Sequence, residues 1–329
     1  MMTPMKIALI GLGHVAAFQI EALTLKPAWQ IAGAADLNPE RANSLPDGIP
    51  FHTDAGALLE QVAAEVCLVA TGLTGHFELG RRVLESGRHL ILEKPCCSTL
   101  REFETLLDIA ERSGRRLFVA LHAAHGLEVK WLAANLAAIA PGRLTSFDCL
   151  FSDPYLDGRT LRSAALPLEG SWIDSGINAL SVIATALPAD RLSVAEASVS
   201  SAVSAEGSDV QSTVLFTAQD PACNGRIETR WNLGLNSKTT RLRFAETGID
   251  IRLDHSQECV VIDRPDRPAR TVDLKNGLPR LTNHYAGVFD EAHAALTTGR
   301  TNAGAALVLR RLVQAAADRS RPRTENHAI

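Results

Sequence analysis

Gly11-Leu12-Gly13-His14-Val15-Ala16 lies between an apolar strand, Lys6 to Ile10, and a helical stretch over residues 14 to 26. No other segment limits the fold as strongly. Gly11 permits a tight strand-to-helix turn, Gly13 lets a pyrophosphate approach the backbone, and Ala16 lets helix pack closely on strand. His14 and Val15 complete the turn, whose N–H groups and helix dipole favour an anion. An ordinary strand-turn-helix that uses glycines only to turn is the alternative. What favours a dinucleotide is the acid at the end of the next strand: Asp36, in Ala34-Ala35-Asp36-Leu37-Asn38. A carboxylate there accepts hydrogen bonds from ribose hydroxyls and repels a 2′-phosphate, so the cofactor is read as NAD. Arg41 leaves NADP open. Asp36 can also serve as the N-cap of a helix starting at Pro39.

Strands and helices then alternate. Strands are expected at Trp29 to Ala35, Phe51-His52, Val66 to Ala70, His89 to Leu92 and Leu117 to Ala120. Helices are expected at Phe77 to Ser86, ended by Gly87, and at Thr99 to Ser113, capped by Ser98 or Thr99 and ended by Gly114. Mostly apolar strands separated by amphipathic helices imply a parallel sheet covered on both faces. Ala70-Thr71-Gly72 closes one strand at the ligand edge, where small residues let a cofactor lie on the backbone. His76 follows, either contacting a ligand or simply starting a helix. Glu93-Lys94-Pro95 closes the next strand. It sets a cation at the crevice of an open α/β sheet, before a proline that can be cis.

After about residue 123 the pattern changes. A helix over 127–139 precedes strands that alternate strictly. Ile227, Thr229, Trp231 and Leu233 share one face opposite Glu228, Arg230 and Asn232, and Ile249, Ile251 and Leu253 alternate with Asp250 and Arg252. The turn Glu246-Thr247-Gly248 makes a hairpin, and the whole is an antiparallel sheet with one open face. Helices are expected from Asp174 to Leu187, at 284–298 and at 302–319, with residues 321–329 a polar, fraying tail. The fold class is therefore α/β, a Rossmann domain over residues 1–122 and a mostly antiparallel domain over 123–329.

Composition narrows the function. Hydrophobic residues make up 46% and the net charge is −4, with no basic patch to favour nucleic acid. No apolar run reaches the roughly 18 residues a bilayer span needs, and no signal-peptide pattern is present. Six cysteines, without zinc spacing or a Cys-x-x-Cys pair, suggest reduced thiols in a cytoplasm and no metal.

Taken in order, Gly-x-Gly-x-x-Ala, the strand-end Asp36, Ala70-Thr71-Gly72, Glu93-Lys94-Pro95 and an Asp-x-Gly helix start at Asp174 closely resemble the Gfo/Idh/MocA oxidoreductases (glucose–fructose oxidoreductase, inositol dehydrogenase, rhizopine catabolism). The resemblance implies hydride transfer between NAD(P) and a carbinol carbon of a sugar or cyclitol, in a homodimer or homotetramer. It implies a cofactor site of Gly11, Gly13, His14, Val15, Ala16, Asp36, Thr71, Gly72, Glu93, Lys94, Pro95 and His122. Much of the family carries a histidine acid/base where this chain has Asn178. Asparagine cannot exchange a proton near neutral pH. Asp174-Ser-Gly-Ile-Asn178-Ala-Leu-Ser is similar to the L-arabinose/D-galactose 1-dehydrogenase branch, which makes lactones. An arginine common after the sixth strand is missing from His122-Ala123-Ala124-His125, and the loop from Phe151 to Gly170 does not match that branch.

Three catalytic residues are expected. Lys94 or Asp174 takes the hydroxyl proton, and Asn178, on the same helix face as Asp174, orients the hydroxyl. Asp174 as a plain helix cap and Asn178 without a ligand remain open. Substrate contacts are expected from Lys94, His122, Asp153, Tyr155, Trp172, Asp174 and Asn178, with Trp231, Asn232 and Tyr285 as further candidates. Core packing is the alternative for both tryptophans and for His122. A dehydrogenase of another sugar carbon or of a cyclitol, and a non-catalytic NAD- and sugar-binding regulator, are the competing functions.

Overall fold

A computed structural model describes residues 3–200, 207–220 and 222–320; the tail at 321–329 lies outside them. The backbone gathers into two compact units. The first holds the chain up to Trp131 together with Leu274–Leu307, and the second holds Leu132–Asp273 and the chain from Val308. These are not the two consecutive segments that a single cut near residue 122 makes. The chain leaves the first unit, builds the second, and returns.

The first unit contains β1 (Met5–Ile10), α1 (Ala16–Thr24), β2 (Trp29–Ala35), β3 (Phe51–His52), α2 (Ala55–Gln61), β4 (Val66–Val69), α3 (Leu73–Glu85), β5 (His89–Glu93), α4 (Leu100–Arg112) and β6 (Leu117–Ala120). All six strands pair in parallel in the order β3-β2-β1-β4-β5-β6. That order reverses between β1 and β4, the point where a doubly wound sheet opens a crevice at its strand ends. β4 and β6 are buried throughout, as strands covered on both faces must be. Thr99 caps α4 through a capping box with Glu102. Gly87 and Gly114 follow the last residues of α3 and α4 with positive φ. The short 3₁₀ helix at Pro39–Ser44 is capped by Asn38, not Asp36.

Between β6 and the second sheet runs α5 (Leu127–Ile139). The second sheet begins with β7 (Ser146–Ser152), and a small hairpin of β8 (Leu156–Asp157) and β9 (Thr160–Leu161) forms a sheet of its own. A π-helical turn, Trp172–Gly176, leads into α6 (Ile177–Ile183). The continuous helix expected from Asp174 to Leu187 is thus replaced by this turn and a shorter helix. The Trp172 ring lies over Gly176, where an added Cβ would sit 2.6 Å from Trp172 Cε3, so this contact depends on the glycine. There follow β10 (Ser193–Ser200), β11 (Gln211–Gln219), β12 (Ala222–Arg230), β13 (Ser237–Phe244), β14 (Ile249–Asp254), β15 (Cys259–Arg264) and β16 (Arg267–Asp273). The order is β10-β11-β12-β7-β13-β14-β15-β16, and only β12 and β7 pair in parallel.

One face of this sheet is a core of Phe147, Cys149, Phe216, Ile227, Leu242, Ile251 and Ile262, all buried. The other carries polar pairs such as Arg226–Asp148 and Arg241–Asp250. Leu233 departs from the expected alternation: β12 ends at Arg230 and Leu233 lies exposed beyond it. The last helices are α7 (Arg280–Thr297) and α8 (Ala303–Ser320). In the first unit α7 closes a core shared with β1, α1 and β4: Tyr285, Val288, Phe289 and Ala292 pack with Leu9, Ile20, Trp29 and Leu68. Trp29 Nε1 donates to Phe289 O at 3.1 Å.

Candidate active site

The first unit's site begins at the turn after β1. Gly11 has φ +92, and a Cβ there would lie 2.7 Å from Ala70 O, so only glycine lets the ends of β1 and β4 come this close. Nothing lies within 4 Å of a Cβ placed on Gly13, which leaves its backbone open to an approaching group. His14 is exposed, Val15 half-buried and Ala16 buried, and α1 starts at Ala16. Asp36 is held at the neighbouring strand end. Leu12 N–H donates to its Oδ2 at 2.7 Å and Asn38 N–H to its Oδ1 at 2.9 Å. Those bonds aim a half-buried carboxylate, with lone pairs to spare, beside the glycine turn. An open glycine, a helix start and an oriented acid are the parts a dinucleotide needs, so these residues fit the cofactor.

Beyond β4, Thr71 and exposed Gly72 form the next turn, and beyond β5 comes Glu93-Lys94 with a cis peptide to Pro95. Glu93 is only 5% exposed. Its Oε1 accepts from Tyr285 Oη at 2.7 Å and from Gln19 Nε2 at 2.9 Å, and its Oε2 accepts from Lys94 N–H at 3.1 Å. Burial raises its pKa, against the pull of these donors. Glu93 therefore ties β5 to α1 and α7. Its carboxyl is engaged by three protein donors. Tyr285 likewise spends its hydroxyl on Glu93.

Lys94 is half-buried. Its charge reaches His76 and His122, and it helps hold both imidazoles below their ordinary pKa, though burial is the larger cause in each. His122, in the turn after β6, is buried, with Nδ1 at 3.2 Å from His284 Nδ1 and the two rings stacked. His76 contacts backbone through both ring nitrogens, Nδ1 with Pro95 O and Nε2 with Thr71 O, each at 3.1 Å.

In the second unit, Asp174 and Asn178 are both buried, Asp174 in the π-helical turn and Asn178 in the first turn of α6. Ser175 Oγ donates to Asp174 Oδ2 at 3.3 Å. Asn178 Oδ1 is buried and accepts no hydrogen bond from the described residues. Asp209 was not anticipated. Its Oδ2 accepts from Ser171 Oγ at 2.7 Å and from Trp172 N–H at 2.8 Å, so it holds the start of the turn that carries Asp174. Burial, with Asp174 nearby, raises its pKa. Nothing local in the sequence marks it, because it comes to Ser171 from just ahead of β11.

Other expectations need correction. Trp172 is 2% exposed, donates its indole N–H to Val313 O at 3.0 Å and stacks on Phe216; it belongs to the core. Trp231 is buried edge-on to Tyr155, so neither tryptophan offers a stacking face. Asp153 pairs with buried Lys238 at 2.6 Å, a partner the sequence reading missed. Asn232 Nδ2 donates to Gln211 Oε1 at 3.0 Å. Among the described residues no cluster of three or more His, Cys, Asp or Glu is placed to hold a metal, and no helix is long and apolar enough to cross a membrane.

Residues 5–121 match the family model GFO_IDH_MocA, an oxidoreductase family with an NAD-binding Rossmann fold. The rhizopine catabolism protein MocA of Rhizobium meliloti is 26% identical over 178 residues, 54% of this chain and 55% of that protein. The uncharacterized oxidoreductase C115.03 of Schizosaccharomyces pombe is 30% identical over 185 residues, 53% of this chain and 46% of that protein. The aligned stretch thus spans about half the length of these two relatives. Among solved structures, an oxidoreductase from Agrobacterium radiobacter in complex with NAD+, L-tartaric acid and magnesium has a TM-score of 0.83 at 19% identity, covering 97% of this chain and 96% of that one. UDP-N-acetylglucosamine 3-dehydrogenase GnnA from Acidithiobacillus ferrooxidans has 0.79 at 18%, covering 97% and 98%. KijD10, a 3-ketoreductase from Actinomadura kijaniata in complex with TDP-benzene and NADP, has 0.79 at 19%, covering 96% and 97%. At such identities the likeness establishes the fold alone.

Proposed function

Residues 5–121 carry the NAD-binding Rossmann fold of the Gfo/Idh/MocA oxidoreductases, and from that premise we propose that this chain oxidises a carbinol carbon of a sugar, C1 of an aldose first among them, to give a lactone. The observation that carries the reading is the presentation of Lys94. It is a half-buried cation at the end of a central Rossmann strand, beside two histidines whose pKa values are lowered by burial. When bound, the nicotinamide supplies the hydride acceptor. The protein's own tasks are to bind the hydroxyl, orient it and take its proton. Lys94 and Asp174 are the two candidate proton acceptors. Asn178 supports the orienting role: a buried amide oxygen that accepts no bond within the described chain is suited to a substrate hydroxyl. His122 is a further ligand contact, its ring neutral near pH 7. Asp153 and Tyr155 stay as sugar contacts only through whatever acceptor capacity their protein partners leave.

Lys94→Ala and Asp174→Ala are each expected to lower kcat by about 10²-fold or more, the usual worth of a positioned acid or base. Turnover of a panel of aldoses and inositols with NAD, followed by NADH absorbance, measures it. Near-normal rates in both variants would remove both residues from the chemistry. A second reading, oxidation or ketone reduction at another ring carbon or of a cyclitol, is favoured by the two fold neighbours named for chemistry at position 3. The same panel separates the two by which product forms. NADH binding without turnover of any sugar points to a regulatory binding protein, a reading that Asn178 in place of histidine keeps open. We expect a homodimer or homotetramer, readable by light scattering, working in a reducing cytoplasm. There Cys67 and Cys149, pushed up to about 12 by burial, stay as inert thiols.

A further inference from the structure

His76 faces two backbone carbonyls, and both are pure acceptors. Its Nδ1 lies 3.1 Å from Pro95 O and its Nε2 3.1 Å from Thr71 O. The ring is 2% exposed, so its contacts are with protein. These carbonyls belong to two different loops. Thr71 precedes Gly72 in the turn after β4, and Pro95 follows Lys94 in the turn after β5. The β4 and β5 strands pair directly, with Val69 opposite Leu92, so the imidazole spans neighbouring turns at the strand ends. Three further features restrict this region. Gly11 leaves no room beside Ala70 O for a side chain, since a Cβ there would lie 2.7 Å from it. Glu93, on the other side of Lys94, is anchored by Tyr285 and Gln19. Cys96 and Cys97, after Pro95, are fully buried.

Lys94 thus stands between two anchors, Glu93 on one side and Pro95 on the other, and His76 supplies the second. We propose that His76 is a positioning residue that fixes the spacing between the Thr71–Gly72 turn and the Lys94–Pro95 turn, and so sets where Lys94 is presented to the cofactor side of the sheet. A neutral imidazole has one N–H for the two carbonyls. The neutral ring therefore bonds one turn through its N–H and meets the other by packing alone, and the tautomer decides which turn is bonded. Burial, with the charge of Lys94, lowers the pKa of the ring and favours the neutral form near pH 7, although the carbonyl contacts act the other way.

This inference rests on the role given to Lys94 above, and its test avoids sugar turnover altogether. His76→Phe keeps a ring of similar size and removes both nitrogens. Two readouts are compared with wild type: the NADH dissociation constant by fluorescence titration, and the pH profile of Lys94 acylation by acetic anhydride, mapped by mass spectrometry. The expected result is NADH binding weakened by about five-fold, the worth of one net hydrogen bond, and a shifted Lys94 acylation profile. His76→Gln, which still donates to one carbonyl, is expected to fall closer to wild type. Should the Phe variant fail to fold, His76→Asn, polar but too short to span both carbonyls, carries the same expectations. Wild-type NADH affinity together with a wild-type acylation profile in the folded Phe or Asn variant would overturn the proposal. Wild-type protein that binds NADH but oxidises no sugar would overturn the functional reading and leave this one standing.

Discussion

A buried carboxylate is costly unless donors surround it, and Glu93 shows how the first unit meets that cost. Tyr285 and Gln19 reach it from α7 and α1, and the Lys94 N–H completes the set. Tyr285→Phe removes one donor and is expected to lower stability by about 1.5–3 kcal/mol, the range for a hydrogen bond to a charged group; the urea midpoint checks it. Asp36 does double duty, since it accepts from Leu12 N–H and Asn38 N–H while facing the cofactor side. Asp36→Ser is expected to shift the NADP-to-NAD affinity ratio toward NADP by about ten-fold, by removing a like charge from the 2′-phosphate. Paired titrations with NADH and NADPH measure it, and an unchanged ratio would mean that Asp36 only braces the turn.

At the scale of elements, α7 packs against the His122–His125 turn through a missing side chain. A Cβ on Gly287 would lie 2.8 Å from His125 Cβ. Gly287→Ala gains helix propensity but meets that contact, and a net loss of about 1–3 kcal/mol is expected from overpacking, read as a lowered Tm. Periodic elements were legible in the sequence. The strands of the Rossmann sheet, the helices at 127–139 and near 302–319, and the alternation of Ile249, Ile251 and Leu253 follow from burial patterns that repeat every two or 3.6 residues. Local turn chemistry was legible too, in Gly11 and in the glycines that end α3 and α4. What the sequence hid depends on partners far along the chain. Asp209 reaches Ser171, Tyr285 reaches Glu93, and Lys238 reaches Asp153, none of them at a spacing that a local pattern marks. The π-helical turn was hidden for a related reason, because the packing of Trp172 over Gly176 is a tertiary preference that helix propensity does not encode.

For the molecule as a whole, acid should loosen the fold through its buried histidines. Burial, aided by Lys130, holds the His125 pKa at about 4, below its ordinary 6.5. The folded state therefore favours the neutral ring. Its contribution is fully present above about pH 6.5 and is lost as pH falls toward 4, about 3 kcal/mol for this group. His122, His76 and His89 are shifted in the same direction. Glu93, Asp209 and Glu291, with pKa values raised chiefly by burial, act in the opposite sense. The histidine effect is best read as a difference: between pH 7.5 and 5, His125→Asn is expected to lose less stability than wild type in urea titrations. The return of the chain at Leu274 has a consequence for how the protein is made. The helix that covers Trp29 and completes the shell around Glu93 is translated only after all eight strands of the second sheet. Until Thr297 leaves the ribosome, the nucleotide-binding half is an open mould, its apolar flank uncovered and its buried acid short of a donor. The second sheet must be synthesised before the nucleotide-binding half can close.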